Sequence, residues 1–544
     1  MATAPVWAGS ATIDNGDTET VSNGDVFSST SLYVGKTGEG TLAIDTGGQV
    51  QTTSTNVGYQ TGATGLIAVT DIGSHFKATS LALGYNGHGV LDVTNGATVW
   101  TTGGYLGRNA GATGHATLDG SGTSWRSTGL NVGYWGDGTL ELTDGASIQT
   151  TGGDIGGTYT VDRADDYYES GDYTIIRGAT GTGYVTLRGG STWTSNGMGV
   201  GVGGDGVLEI SDGSRAAANS YDIGYFANGE VLVADRGTFT SQRATLGRME
   251  GSSGQVTVQG EASTWTPRTA TLGLAGASTV NLFDGGTMTA GWYVTCGEFS
   301  TIAMELMTPG IDAPMSVGRE LTLDGTLNVM MGDYMPQIGD GFDLLDWGRD
   351  LTGEFAEINL PVLQRGMGWD TSSLYETGEI FMLQTAVDVP LDIKLGSNDN
   401  PVNPKSKGML PVTLFGTDLV DVSDIDLMTL VLNDVALASK PNGSLFASFD
   451  DMDGDGLMDL AMKFRTQDLN LDSTFDELVL FGFLSDGTEI MGSDLIGIVP
   501  DGFAGISQDA APTFGMMTGA AIPEPATMGL LVLGGTALLR RRKK

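Results

Sequence analysis

The chain has 544 residues, 40% of them hydrophobic, which is enough for roughly two to four domains with buried cores. Its formal net charge of −39 argues against nucleic acid or an anionic membrane surface as the partner of the folded body. The single cysteine, Cys296, excludes an intrachain disulfide, and three histidines leave little material for histidine-based catalysis.

Residues 1–31 are expected to form a starter coil or cap in front of a repeat that begins at Leu32. Each repeat unit is anchored by an apolar residue followed by glycine. Successive anchor glycines are 23 or 26 residues apart, except for one interval of 45, which is a 26-residue unit with 19 additional residues. The anchor glycines are Gly35, Gly58, Gly84, Gly107, Gly133, Gly156, Gly201, Gly224, Gly247 and Gly273.

Each unit carries two further apolar signals: an alternating pair such as Leu42 and Ile44, and a single apolar position 15 or 18 residues after the anchor glycine in ordinary units. Three apolar sites at strand period predict three short strands per unit, separated by turns. A unit this short matches one coil of a parallel β-solenoid, and about ten coils are expected over residues 32–295. The single positions are Val50, Phe76, Val99, Trp125, Ile148, Trp193, Ala216, Phe239, Trp265 and Met288.

Two alternatives compete with this interpretation. A β-propeller or antiparallel sandwich is disfavoured because propeller blades usually need about 40 residues or more. The tryptophans have a functional alternative as platforms on which sugars stack. Because Trp125 shares its position in the unit with Val50 and Ile148, packing in the solenoid core is favoured.

The repeat units resemble those of autotransporter-like passengers and PEP-CTERM surface proteins. The resemblance is carried by the segments "GTLAIDTGGQVQTT", "GTLELTDGASIQTTG" and "GATGHATLDGSGTSW" and covers about half the chain. It is specific for the fold and weak for the function, because such solenoids serve as stalks, adhesins and enzyme frames.

After the repeat, residues 296–385 keep strand signals but lose the period, as expected of a β cap that covers the last exposed edge. Residues 386–500 alternate as strands between Asn, Pro, Gly and Asp clusters and predict a small β-sandwich. It looks like a domain found in bacterial secreted proteins beside a DxDGDG loop. Residues 501–522 are Gly-, Ala- and Met-rich and are expected to be a linker.

The strongest candidate site lies in the predicted sandwich. Asp451, Asp453 and Asp455 occupy positions 1, 3 and 5 of a glycine-containing loop, the Leu457 carbonyl fits position 7 and Asp459 fits position 9. Hard cations such as Ca²⁺ prefer several such oxygens. Met462 stands where an EF-hand has glutamate, and a strand pattern follows, so we expect one Ca²⁺ in an EF-hand-like loop between strands. The alternative is a solvated acidic turn.

The C-terminal residues 523–544 combine Pro523-Glu524-Pro525, an apolar run and five basic residues. This arrangement closely resembles the PEP-CTERM sorting signal, which implies a hydrophobic sorting helix, processing by an exosortase-type membrane enzyme and transient contact with the inner membrane. The basic end is expected to stay cytoplasmic. Residues 2–4 (Ala-Thr-Ala) fit the remnant of a signal-peptide cleavage site, although Pro5 is a poor context for cleavage.

The 19 additional residues form a possible ligand loop for a sugar or a cation, with a solvated surface loop as the alternative. Its candidate residues are Asp165, Asp166, Tyr167, Tyr168 and Glu169.

An enzyme is not expected. Asp92, Glu141 and Glu209 lie between inward apolar neighbours and therefore face outward on alternate coils, about 10 Å apart, too far for a retaining glycosidase pair. An inverting pair remains compatible with that separation.

Together, these features and resemblances predict an exported cell-surface or extracellular-matrix protein with a structural or adhesive role, and the resemblance implies a Gram-negative-type bacterium with an extracellular polysaccharide layer. Extracellular polysaccharide or matrix is the expected partner. The first alternative is a polysaccharide-binding protein, and the second is a carbohydrate-active β-helix lyase or hydrolase.

Overall fold

The computed structural model describes residues 9–157, 160–161, 175–176, 181–363, 365–397 and 399–499. They divide into two compact units, residues 9–388 with 481–491, and residues 389–480 with 492–499. Regular structure in the described residues is β-strand apart from two short 3-10 helices, Val422–Asp424 and Thr466–Leu469. The all-β class predicted from the repeat is confirmed.

The first unit is a parallel β-solenoid in which each coil contributes to two sheets. Coils stack in the register that the sequence predicts: Val50 pairs with Phe76, and Phe76 pairs with Val99. The strands of the larger sheet are Ser10–Ile13, Val26–Val34, Gln49–Val57, His75–Leu83, Thr98–Leu106, Ser124–Val132, Ser147–Ile155, Thr192–Val200, Arg215–Ile223, Thr238–Leu246, Thr264–Leu272, Thr287–Ala290 with Tyr293–Cys296, Met315–Val317 with Glu320–Leu323, and Leu345–Trp347 with Asp350–Gly353. The strands of the smaller sheet are Asp17–Val21, Glu39–Ile44, Thr64–Thr70, His88–Thr94, Thr113–Asp119, Asp137–Thr143, Gly183–Leu187, Gly206–Ile210, Asn228–Val233, Ser253–Gln259, Ala277–Phe283, Ser300–Glu305, Thr326–Met330 and Glu357–Asn359.

The prediction of three strands per coil was wrong, because a regular coil has two. The single inward site and the apolar residue of the anchor lie on one nine-residue strand that bends between them, and the anchor glycine follows this strand. In Ser124–Val132 the buried positions alternate up to Ser127 and resume at Leu130, so Thr128 and Gly129 both face outward. Two successive outward residues shift the alternation by one, which made one bent strand look like two in the sequence.

The smaller sheet has ten strands within residues 32–295, as predicted, but the solenoid continues beyond this range at both ends. The smaller sheet contains 14 strands. The first, Asp17–Val21, belongs to the expected starter segment and pairs with Glu39–Ile44. At the other end, the last three strands of this sheet come from the segment expected to form a cap. Paired residues there are 22, 25 and 31 apart in the sequence, so only the last coil is clearly longer than the repeat.

Beyond these coils, the first unit contains a three-stranded antiparallel sheet of Gly341–Asp343, Met367–Asp370 and Glu379–Gln384. A two-residue pair, Thr160–Val161 with Ile175–Ile176, lies within the 45-residue interval.

The anchor glycines are required by the close stacking of the coils. All ten have positive φ, for example 64° at Gly58. A Cβ atom on Gly58 would lie 2.1 Å from the carbonyl oxygen of His88 in the neighbouring coil. No residue with a side chain fits this position, which explains why the motif recurs in each of the ten repeat units.

The predicted inward ladder forms the solenoid core, because each of its ten residues is at most 2% exposed. Trp125 and Trp193 are completely buried, which confirms core packing over sugar stacking. Each indole lies beside a glycine: an added Cβ would lie 3.0 Å from the Trp125 ring at Gly104 and 3.4 Å from the Trp193 ring at Gly153. The large side chains are therefore accommodated by missing ones in the neighbouring coil.

The second unit is built on a four-stranded antiparallel sheet in the order Leu391–Ile393, Met409–Leu414, Asp459–Arg465, Ala447–Asp450. Further strands of this unit are Pro401–Val402, Ile425–Leu432, Val435–Ala436 and Gly497–Ile498. Of the remaining strands between residues 387 and 499, Val387–Asp388 belongs to the first unit, and Glu477–Leu484 and Glu489–Leu495 each have residues in both units. Buried residues alternate along the strands, as in Leu410, Val412 and Leu414, which is the pattern expected of a small β-sandwich.

Candidate metal centre

The predicted calcium loop connects two antiparallel strands. Ala447–Asp450 pairs with Asp459–Arg465, and the last residue of the first strand, Asp450, lies opposite the first residue of the second, Asp459. The loop between them reverses direction with positive φ at Gly454 and Gly456, 84° and 92°. The expectation of a loop between two strands, without a following helix, is confirmed.

Backbone amides hold the loop carboxylates in place. Asp451 accepts hydrogen bonds from the N–H groups of Gly454 at 2.8 Å and Gly456 at 3.1 Å. The Asp459 side chain is fully buried and accepts from the N–H groups of Met452 at 2.7 Å and Gly416 at 3.0 Å. These bonds fix the orientation of two carboxylates that are far apart in the loop sequence.

Three of the predicted ligands come together. One carboxylate oxygen from each of Asp451, Asp453 and Asp459 lies within 4.8 Å of the others. Two oxygens bound to one Ca²⁺ at about 2.3–2.6 Å are separated by at most about 5 Å, so this spacing fits a shared ion. The set offers only hard carboxylate oxygens, which suits Ca²⁺ and excludes a soft thiolate-type metal site.

Asp455, another predicted ligand, is not part of this group. It instead accepts a hydrogen bond from the Leu457 N–H at 2.8 Å. The residues that would hold the cation are therefore Asp451, Asp453 and Asp459.

A second polar cluster in this unit was missed from the sequence. Asp494 accepts from the Ile393 N–H and the Asn400 side-chain amide, each at 2.7 Å. Burial raises the pKa of the Asp392 carboxyl, the neighbouring Asp494 charge raises it further, and the Gly396 N–H opposes both. Residues 392–400 and Asp494 are about a hundred residues apart, so no local spacing signalled the cluster.

The candidate ligand loop at residues 165–169 and the Pro523–Pro525 sorting signal lie outside the described residues. Among the described residues, no helix is long and apolar enough to cross a membrane.

The outward carboxylates of the solenoid follow the predicted row. Asp92 and Glu141 are each paired with Thr117, which separates them, and Glu141 and Glu209 are separated by Thr186. Two coil spacings correspond to about 10 Å. Burial raises the pKa of Asp92, while the nearby His115 charge lowers it.

Comparisons with known proteins add no relative. No protein-family model, no curated protein and no solved structure matches the chain.

Proposed function

We propose that this chain is an exported bacterial cell-surface or extracellular-matrix protein with a structural or adhesive role, in which the solenoid serves as a stiff acidic spacer. The observation that carries the proposal is the continuous parallel stacking of 14 strands in one sheet. At about 4.8 Å per coil, this stack is roughly 60 Å long.

Stiffness follows from the bonding of the stack. Backbone groups of each coil pair with the coils on both sides, and the interior is a continuous apolar column. Bending the column would break many of these bonds together. The excess of 65 Asp and Glu over 26 Lys and Arg makes such rods repel one another and keeps them hydrated.

Support for export comes from the C-terminal resemblance to PEP-CTERM tails. In this proposal an exosortase-type enzyme processes the tail, and the inner membrane holds the chain transiently. The mature protein then lies at the surface or in an extracellular polysaccharide matrix.

Cell fractionation tests the export proposal. An epitope-tagged chain is expressed in a bacterium that has exosortase, beside a Glu524→Ala variant and a matched Glu477→Ala control outside the tail. Wild type and control are expected at the surface with the tail removed, and the tail variant is expected to stay unprocessed at the inner membrane. Identical mass and location for all three would refute the proposal.

The second unit is proposed to bind one Ca²⁺ through Asp451, Asp453 and Asp459. A ligand that binds only the folded state stabilises it by about 2.7 kcal/mol at a hundredfold excess over Kd. Calcium should therefore raise the melting temperature of wild type and of Asp468→Asn, an exposed control outside the group, but not of Asp451→Asn. Equal melting with calcium and with chelator would contradict the site.

Carbohydrate-active chemistry is the rival class. It predicts turnover of polysaccharides that is lost when an outward acid such as Glu141 is replaced by Gln. Release of reducing ends or unsaturated sugars from an acidic polysaccharide would favour that class over a spacer.

A further inference from the structure

A group of oxygen acceptors lies at one edge of the four-stranded sheet in the second unit. It combines the carboxylates of Asp392 and Asp494 with the side-chain amide of Asn400. Asp494 accepts hydrogen bonds from the Ile393 N–H and from Asn400 Nδ2, each at 2.7 Å. The strand Leu391–Ile393 is the edge strand of the sheet, so these bonds join the edge to a residue about a hundred positions later in the sequence.

Asn400 contributes a buried oxygen that no donor satisfies. The residue is only 4% exposed. Its amide nitrogen donates to Asp494 and, at 2.9 Å, to the Leu495 carbonyl oxygen. These two acceptors identify the nitrogen end of the amide, because an oxygen there would face two other oxygens. The Oδ1 atom of Asn400 is buried and has no hydrogen-bond partner among the described residues.

Bond lengths limit how far this oxygen can lie from Asp494. The oxygen and nitrogen of one amide are about 2.3 Å apart. Because Asn400 Nδ2 is 2.7 Å from the Asp494 Oδ2 atom, Asn400 Oδ1 lies within about 5 Å of that carboxylate oxygen. Two oxygens that share one Ca²⁺ are separated by at most about the same distance.

The Asp392 carboxylate adds a second unsatisfied oxygen. Its neighbours Leu391 and Ile393 are buried in the core, so Asp392 lies on the opposite face of the strand. Its Oδ1 atom is buried without a hydrogen-bond partner in the described part of the chain. Burial and then the charge of Asp494 raise the pKa of Asp392, while the Gly396 N–H lowers it, as expected where two carboxylates are close together.

No positive charge compensates the two carboxylates within the described residues. None of the ion pairs found there includes Asp392 or Asp494. The ammonium group of Lys394, the nearest basic residue in the sequence, donates instead to the Pro401 carbonyl oxygen. A water molecule can donate to both unsatisfied oxygens, but it leaves two neighbouring negative charges uncompensated. A cation satisfies the oxygens and the charges together.

We infer that Asp392, Asn400 and Asp494 bind a Ca²⁺ ion, distinct from the ion proposed for the loop that contains Asp451. Two carboxylates and an amide carbonyl are hard oxygen ligands of the type that Ca²⁺ takes, and waters can complete its flexible coordination shell. The ion ties the edge of the sheet to Asp494. This inference goes beyond the proposed function and does not depend on the loop site.

Counting bound calcium on the purified full chain tests the inference. Equilibrium dialysis with radioactive calcium measures how many ions each chain binds. Asp392→Asn keeps one oxygen for the Gly396 N–H and replaces the oxygen that has no partner. Asp451→Asn removes a ligand of the loop, and Asp468→Asn is the matched control because this acid is exposed and outside both groups.

Wild type and Asp468→Asn are expected to bind two ions per chain, Asp392→Asn and Asp451→Asn one each, and the variant with both substitutions none. Asp494→Asn, added to Asp451→Asn as a second probe of the group, should weaken binding of the remaining ion by about tenfold or more. Circular dichroism and melting in chelator verify that each variant folds.

The inference is overturned if folded Asp451→Asn binds no calcium, or if Asp392→Asn binds as many ions as wild type. A single ion that is lost in Asp392→Asn and kept in Asp451→Asn would support this group and refute the loop site. The two calcium proposals therefore fail separately.

Discussion

The buried tryptophans of the solenoid differ in one respect that predicts different responses to the same substitution. Trp125 Nε1 donates to the Thr101 hydroxyl at 3.0 Å, and Trp193 Nε1 donates to the Thr150 hydroxyl at 3.1 Å. Trp265 Nε1 is buried without a hydrogen-bond partner among the described residues. All three side chains are 0% exposed.

Replacement by phenylalanine removes the same atoms at each position, so the losses of packing energy largely cancel when two variants are compared. At Trp125 the change also removes a hydrogen bond worth about 0.5–1.5 kcal/mol net. At Trp265 it removes an unsatisfied buried donor that costs the folded state about 1–3 kcal/mol. Trp125→Phe should therefore be more destabilising than Trp265→Phe by about 2–4 kcal/mol.

Urea unfolding followed by far-ultraviolet circular dichroism measures the difference, with the slope fitted for each variant. Trp193→Phe provides a replicate and should behave like Trp125→Phe. Thr101→Val provides the reverse test, because it leaves the Trp125 N–H without its acceptor and should cost about 1–3 kcal/mol. The reasoning is refuted if Trp265→Phe destabilises the protein as much as Trp125→Phe does.

Three other substitutions test the first unit. Burial and then the charges of Glu379 and other nearby acids raise the pKa of Asp343 to about 6. Because the charged carboxylate is disfavoured in the folded protein, the protein loses stability as the pH rises from about 4 to 6. Asp343→Asn should stabilise the unit by about 1 kcal/mol at pH 7, allowing for its partial exposure, and not at pH 4; equal melting shifts at both would contradict this. Burial alone would raise the pKa of Asp14, but hydrogen bonds from the Thr37 hydroxyl and from backbone amides lower it to about 2. This carboxylate therefore stabilises the folded protein above about pH 4, and the stabilisation is lost progressively as the pH falls towards 2. Asp14→Ala should cost about 1 kcal/mol at pH 7 and speed hydrogen exchange at the Thr37 amide; unchanged protection would count against it. Gly58→Ala should destabilise the protein by more than about 4 kcal/mol, because the added Cβ would lie 2.1 Å from a backbone oxygen. Urea unfolding measures this loss of stability, and only a small loss would show that the coils can move apart to accept the methyl group.

The candidate metal loop was accessible from the sequence because its signal is local. Asp451 and Asp453 are two residues apart, and glycines stand where the loop must turn. The sequence did not show which of the five proposed ligands converge. That depends on Asp459, whose carboxylate is turned towards the loop by the N–H groups of Met452 and of Gly416 on another segment.

The sequence by itself determined the solenoid, its inward ladder and its anchor glycines. These features repeat every 23 or 26 residues because each coil meets the same environment in its neighbour. The number of strands in each coil and the role of each glycine depend on how the coils stack in the tertiary structure. Whether two apolar sites lie on one bent strand or on two strands depends on where the chain turns, which a period-two pattern does not encode. Likewise, the sequence shows a glycine at both position 58 and position 152 and does not distinguish their roles. Only the neighbouring coil shows that Gly58 is pressed against a backbone oxygen, whereas a Cβ on Gly152 would meet nothing within 4 Å.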